Sequence, residues 1–209
     1  MKLSVLSFDD GQAIPAEFAM GMPAEDGPAT FGPNRNPHLQ WSDVPEGTQS
    51  FTLICHDPDA PAVGDDVNQE GRTVPFDLPR ADFYHWVLVD IPADVDELPA
   101  GCDCEGVTPR GKEAGLTPYG RRGINSYTSW FAGDAEMEGE YGGYDGPFPP
   151  WNDERAHRYY FTLYALDVPT LGLTGSFDAG DAMRAMEGHI LATAEWVGTY
   201  AIYPAARLP

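Results

Sequence analysis

The run His157-Arg158-Tyr159-Tyr160-Phe161-Thr162-Leu163-Tyr164-Ala165-Leu166-Asp167 decides how this chain folds. Residues 159–166 are aromatic, β-branched or aliphatic, the types that suit a pleated, buried surface, and Asp167 closes the run. Residues 51–56, 84–91 and 195–203 read the same way, each bounded by Pro, Gly or Asp. Four buried strands are therefore expected. The 23 glycines and 20 prolines are spread between them, as in a mainly β fold with substantial loops. Before the last strand, Asp178 can cap a helix, with Asp181 favoured in its first turn. Met183, Met186, Ile190 and Ala194 then fall at spacings of 3, 4 and 4, which predicts one apolar helical face filling core. Residues 60–80 and 100–155 are long, polar and rich in Gly and Pro; loops of that length carry function or cover a site.

Neither a repeat nor a linker divides the 209 residues, so a single domain over 1–209 is expected. A chain of this size buries roughly 70% of its unfolded surface and folds without metal or disulfide. Cys55 sits in an apolar run and reads as core, while Cys102-Asp103-Cys104 lacks the spacing of a zinc site. No metal and no cofactor are expected. No apolar run approaches the ~20 residues of a membrane span. The first seven residues, Met1 to Ser7, lack the apolar stretch and cleavage site of a signal peptide, so a cytoplasmic protein is expected.

Charge is the strongest compositional feature. Twelve Lys and Arg stand against 33 Asp and Glu, for a formal net charge of -21, and only Lys2 and Lys112 are lysines. A folded chain of this size exposes roughly 9,500 Å², leaving each net charge about 450 Å². The Debye length of about 10 Å at 0.1 M salt leaves such neighbours repelling, and about 3 Å at 1 M removes the repulsion. The composition reads as that of a halophile's protein. Nucleic acids and stable association with anionic membranes are excluded as partners, because phosphates are repelled over most of the surface.

Three constellations carry possible chemistry. Asp57-Pro58-Asp59-Ala60-Pro61 follows the strand expected to end at His56, and sets two carboxylates in a stiff turn. It reads either as a ligand site or as an Asp-rich turn in an Asp-rich protein. His85 opens a strand; alternation places it with Val87, opposite Tyr84 and Trp86. It is either an anion donor or a structural histidine. Gly146-Pro147-Phe148-Pro149-Pro150 precedes His157 and Tyr159, which are two apart on a strand and so share a face. Gly146 is expected to allow a backbone conformation that other residues resist. Imidazole and phenol side by side supply two donors to an oxyanion.

Together, "DPDAP" at 57–61, "YHWVLVDIP" at 84–92, "GPFPP" at 146–150 and "HRYYFTLYALD" at 157–167 resemble the phosphatidylethanolamine-binding protein family. The likeness is to its bacterial and archaeal, Raf-kinase-inhibitor-like branch. "NPHLQWSDVPEGTQSF" at 36–51 and "MEGHILATAEWVGTY" at 186–200 extend it. The resemblance implies an antiparallel β core, with a large central sheet, a smaller sheet and helix near the C-terminus. It also implies a small pocket for phosphate-like or carboxylate groups, built from Asp57, Asp59, His85, Pro150, His157 and Tyr159. In that pocket His85 and His157 donate to the anion, Tyr159 adds a hydroxyl, Asp57 orients His85 or receives an ammonium, and Pro150 shapes the wall. Two acidic expansions depart from the branch. One runs from Asn125 to Tyr141, with Asp134, Glu136, Glu138 and Glu140; the other lies between Asp65 and Asp82. Anion binding then needs a locally electropositive pocket, with Arg158, Arg121 or Arg122 as sources.

The expected function is a binding protein for a small anionic ligand, not an enzyme, with regulation of a protein partner such as a kinase or protease as an implied role. The alternatives are a hydrolase using the Asp/His pocket and an interaction module with a vestigial pocket. Against hydrolysis, Gly-x-Ser-x-Gly, His-Glu-x-x-His and phosphate-cradling glycine loops are missing. For the interaction module, Trp130, Phe131 and Trp151 are the contacts, and the same aromatics make a homodimer an expectation.

Overall fold

All four aromatic and β-branched runs enter strands in the computed structural model, which describes all 209 residues. The chain begins with β1 (Lys2–Val5), β2 (Gly21–Met22), β3 (Thr30–Phe31) and β4 (Leu39–Ser42). Next come β5 (Ser50–Pro61), β6 (Arg80–Pro92), β7 (Glu97–Leu98), β8 (Gly115–Thr117) and β9 (Gly120–Arg122). A one-turn helix α1 (Tyr127–Trp130), β10 (His157–Leu166), α2 (Ala179–Met186) and β11 (Ile190–Tyr200) complete it. Six strands form an antiparallel sheet in the order β11-β10-β5-β6-β9-β8, a second sheet runs β1-β4-β7, and β2-β3 is a small ribbon.

Burial explains the layering. Phe51, Leu53, Cys55, Trp86, Leu88, Tyr159, Phe161 and Leu163 project from one face of the large sheet onto Leu3, Val5, Leu39, Trp41 and Leu98 of the smaller one. On the opposite face, Val87 and Val89 pack under Phe177, Ala179 and Ala182, and Ile54 under Met186. The helix α2 thus covers part of the second face. Its start is as expected: the Asp178 carboxylate accepts from the Asp181 amide at 2.9 Å, and Asp181 returns the bond to the Asp178 amide at 3.1 Å.

The helix stops sooner than the apolar spacing suggests. Gly188 takes φ +80°, a left-handed value that glycine adopts at little cost, and Ile190 and Ala194 belong to β11. Of the expected helical face only Met186 is core; Met183 is 40% exposed. The last strand accordingly starts at Ile190 and ends at Tyr200, and as an edge strand it is only partly buried.

The turn expected after His56 is also strand. β5 runs on to Pro61, paired with β6. Its pairing with β10 ends at His56, so Pro58 and Pro61 lie where that side of β5 is an edge and no ladder donor is needed.

One irregularity matters for the site. Cys55 faces Trp86 and His56 faces Tyr84, which makes His85 an extra residue in β6. This bulge turns His85 to the same face as Trp86, while Tyr84 packs with Val87 on the other. His85 lies opposite Tyr84, as simple alternation expects, but shares its face with Trp86 and not with Val87.

Candidate functional site

At the end of the large sheet where β5, β6 and β10 lie side by side, a cavity of about 450 Å³ opens. Such volumes are typical of small-molecule sites, about 300–1,000 Å³. Asp57, His85, His157 and Tyr159 line it, and Pro150 forms part of its wall. Of the expected site residues, only Asp59 lies outside the lining. The long loops close the rest: Pro61 and Val67 come from 60–80, Tyr127, Trp130, Phe131 and Phe148 from 100–155. Phe31, at the end of the β2-β3 ribbon, joins them, stacked edge-on to Phe148 at 5.9 Å. The acidic Asn125–Tyr141 stretch therefore stands beside the mouth through its first turn, while Asp134, Glu136 and Glu138 face solvent.

The floor is held by buried ions. His157, 1% exposed, shares its Nδ1 with Asp57 Oδ2 at 2.6 Å and its Nε2 with Asp153 Oδ2 at 3.0 Å. Burial alone opposes the imidazolium, but the two carboxylates outweigh it and raise the group to about 9. His157 is thus charged, and both its N–H groups are occupied. The expectation that it donates to a ligand is corrected by Asp153, four residues earlier. Asp153 also accepts from Arg80 at 2.5 and 3.0 Å, and His157 and Arg80 hold it below the usual carboxylate range against the effect of burial.

Asp59 turns away from the cavity. It takes Arg155 at 3.1 Å and Arg158 at 2.8 and 3.0 Å, and these bonds lower its titration despite burial. Its amide donates to Asp57 Oδ1 at 2.7 Å, so both oxygens of Asp57 are engaged by the protein. Arg158 is committed to Asp59 and Arg122 to Asp103, and neither these nor Arg121 lines the cavity. The local positive charge arises differently. Asp57, Asp59 and Asp153 are three carboxylates tied to four cations, Arg80, Arg155, Arg158 and His157. The cluster under the floor carries one net positive charge in a chain of -21.

His85 and Tyr159 are the groups left free. His85 Nδ1 lies 2.8 Å from the Asp145 carbonyl, which can only accept, so Nδ1 carries the proton and Nε2 has no protein partner. Burial keeps the ring neutral by lowering its titration, the nearby carboxylates notwithstanding. Asp57 makes no hydrogen bond to it; the orienting residue is Asp145, whose carboxylate is fixed by Asn34 at 2.8 Å, Asn125 at 2.9 Å and Lys112 at 3.1 Å. The Tyr159 hydroxyl is fully buried and has no hydrogen-bond partner. Its ring meets that of His85 edge-on at 5.1 Å. From there His85, Tyr127 and Phe131 continue as a chain of aromatic contacts to the rim.

The wall depends on a close approach at Gly146. Its φ is not in the left-handed region, contrary to expectation. Glycine is required because a Cβ there would stand 2.0 Å from the Phe18 carbonyl oxygen. Asn34 and Tyr127 then pin its amide and carbonyl, each at 2.8 Å.

Sequence reasoning missed Asp145, Asp153 and Arg80. Among 33 acidic residues nothing local marks out the first two, and Arg80 reads as a loop cation.

Known proteins share this arrangement of strands and loops. The sequence profile described as Phosphatidylethanolamine-binding protein matches residues 4–201. A UPF0098 protein of Aquifex aeolicus (strain VF5) is 31% identical over 204 residues, covering 96% of this chain and 88% of its own. The UPF0098 protein YbhB of Escherichia coli (strain K12) is 32% identical over 169 residues, 80% of this chain and 79% of its own. Among solved structures, the phosphatidylethanolamine-binding protein homologue CT736 of Chlamydia trachomatis superposes with a TM-score of 0.62 at 29% identity, over 95% of both chains. Escherichia coli YbcL, at 24% identity, shares the fold with a TM-score of 0.68 over 96% of this chain and 97% of its own. By sequence over nearly its whole length, and by fold, the chain belongs to the phosphatidylethanolamine-binding protein family.

Proposed function

We propose that the chain is a soluble, cytoplasmic binding protein whose cavity holds a small phosphate- or carboxylate-bearing ligand. One observation carries the reading: Tyr159 lines the cavity, and its buried hydroxyl has no hydrogen-bond partner in the protein. An unsatisfied buried hydroxyl costs about 1–3 kcal/mol, and a ligand oxygen that accepts from it removes that cost. His85 Nε2 is the second contact. While neutral it accepts, so it matches the protonated oxygen of an acid phosphate or carboxylic acid, or takes up a proton when the anion arrives. The single positive charge beneath the floor favours an anion at this end of a negative molecule.

The same geometry favours binding over hydrolysis. No serine, threonine, cysteine or lysine lines the cavity to act as nucleophile, so the free Nε2 of His85 has no such side chain to activate, and His157 has no free nitrogen at all.

Thermal melting in molar KCl with phosphate, phosphorylethanolamine, nucleotides and acetate tests the reading. One of these anions should stabilise the wild type by about 2.7 kcal/mol at a hundredfold excess over Kd. Tyr159→Phe and His85→Ala should lose most of that gain. Without ligand, Tyr159→Phe should melt no lower than wild type, since it deletes only the unsatisfied hydroxyl. If no anion protects the wild type, or both variants are protected equally, the reading fails.

A further inference from the structure

Asn152 is 1% exposed, lies outside the cavity lining, and is bonded almost wholly to one loop. Its Nδ2 donates to the carbonyls of Asp66 at 2.8 Å, Arg72 at 3.0 Å and Gln69 at 3.4 Å. Its Oδ1 accepts from the Asn68 amide at 3.0 Å, and Asn68 Oδ1 accepts from the Trp151 amide at 3.1 Å. One side chain thereby ties together four main-chain groups of the 64–72 arc, of which only the Asp66 and Gln69 carbonyls also accept turn bonds, from the Gln69 and Arg72 amides. That arc supplies Gly64, Val67 and Asn68 to the cavity wall. In the other direction Asn152 continues into Asp153, which bonds His157, and follows Pro149 and Pro150 of the opposite loop. The residue thus couples the arc to the floor without touching the cavity.

The cavity is far larger than a phosphate, and ten of its eighteen lining residues are hydrophobic, so its upper part suits an apolar group attached to the anion. Resting on the anion reading above, we infer that Asn152 is a positioning residue that sets ligand specificity: it holds the 64–72 arc as the wall against which the ligand's apolar body packs. The floor recognises the anion, and the arc recognises what the anion is attached to. Beyond the arc the loop has its own anchor, since the Val74 amide donates to the Asn152 carbonyl at 3.0 Å and Glu154 returns to Val74 at 3.1 Å. Truncating the Asn152 side chain leaves these main-chain bonds in place and frees the arc alone.

The test is calorimetric titration of wild type and Asn152→Ala with inorganic phosphate and with phenyl phosphate. Wild type should bind phenyl phosphate about tenfold more tightly or better, the gain of burying part of a ring. Asn152→Ala should keep its affinity for inorganic phosphate and lose the phenyl advantage. Where Asn152→Ala does not fold, Asn152→Ser takes its place; its hydroxyl keeps a polar group at the position and, with a single donor, can make at most one of the three donations to the arc. Equal weakening of both ligands overturns the inference, because a merely structural role would act on floor and wall alike. So does a wild type that binds phosphate and phenyl phosphate equally, a result that leaves the anion reading intact. A wild type that binds neither overturns the anion reading and the inference with it.

Discussion

His157 behaves as the keystone of the floor because its charge sits between two buried carboxylates, Asp153, which Arg80 also holds, and Asp57, whose ion pair is with His157 alone. Its folded-state titration at about 9 lies above the ordinary value of about 6.5. The unfolded chain therefore releases the proton first as pH rises. The stability this gives is complete below about pH 6.5 and is lost as pH climbs through 9. Asp153, held low by the same contacts, works in the opposite sense: its contribution is present above the ordinary carboxylate range and fades in acid. Denaturant midpoints measured from pH 6 to 10 should fall between about pH 6.5 and 9 and level off above. In Asp153→Asn the fall should be smaller and end at lower pH, since loss of one supporting charge lowers the folded-state value and leaves the unfolded one unchanged; an unchanged profile would assign the alkaline loss to another group. At this scale the sequence was informative about residue identity and much less so about role. Asp57, His85, His157 and Tyr159 are legible because they sit in short, chemically distinctive segments. Which of them is free for a ligand depends on Asp153, Asp145 and Arg80, and such partners become visible only when distant loops fold together.

Elements aim these residues, and their irregularities do most of the aiming. A regular β6 would point His85 away from Asp57 and Tyr159; one extra residue between the Cys55 and His56 pairs reverses it. Alternation is a reliable rule for a regular strand, and no local composition announces a bulge, so a face shared with Val87 was the natural expectation. The apolar spacing of Met186 and Ile190 misleads for a related reason: Gly188 ends the helix between them, and Ile190 continues as an edge strand. The 146–150 wall is a third case, set by contact distance at Gly146. Gly146→Ala must push a methyl group into the Phe18 carbonyl or move the loop. It should cost about 1–3 kcal/mol in urea unfolding, the usual penalty of overpacking. It should also reduce the melting shift given by the ligand, because Pro149 and Pro150 move with it. Unchanged stability and unchanged ligand protection would show that the loop yields freely there.

For the whole molecule, charge and topology set the behaviour. The accessible surface is 9628 Å², which leaves about 460 Å² for each of the 21 net charges. Ten of the twelve cations, all but Arg110 and Arg121, already sit in ion pairs. Unpaired acids therefore dominate what remains exposed, and their repulsion is relieved by screening. The melting temperature should rise steadily between 0.1 and 2 M KCl; a flat or falling profile would remove the salt-adapted reading. The fold itself was legible early, because four strand-forming runs in a familiar order constrain a β topology more tightly than any single residue constrains a site.

The floor bond between His157 and Asp57 joins positions 100 residues apart, and β10 lies between β5 and β11 in the large sheet. On the ribosome, β5 and β6 can pair as soon as residue 92 emerges, but β5 then waits for its other neighbour. At about 5–20 residues per second, the wait between residues 57 and 157 is roughly 5–20 s. Throughout it the nascent chain offers an unpaired strand edge, the form in which β proteins most readily mispair with one another. Each such chain also carries a dense load of like charge, so two of them meeting during synthesis repel before their edges can join.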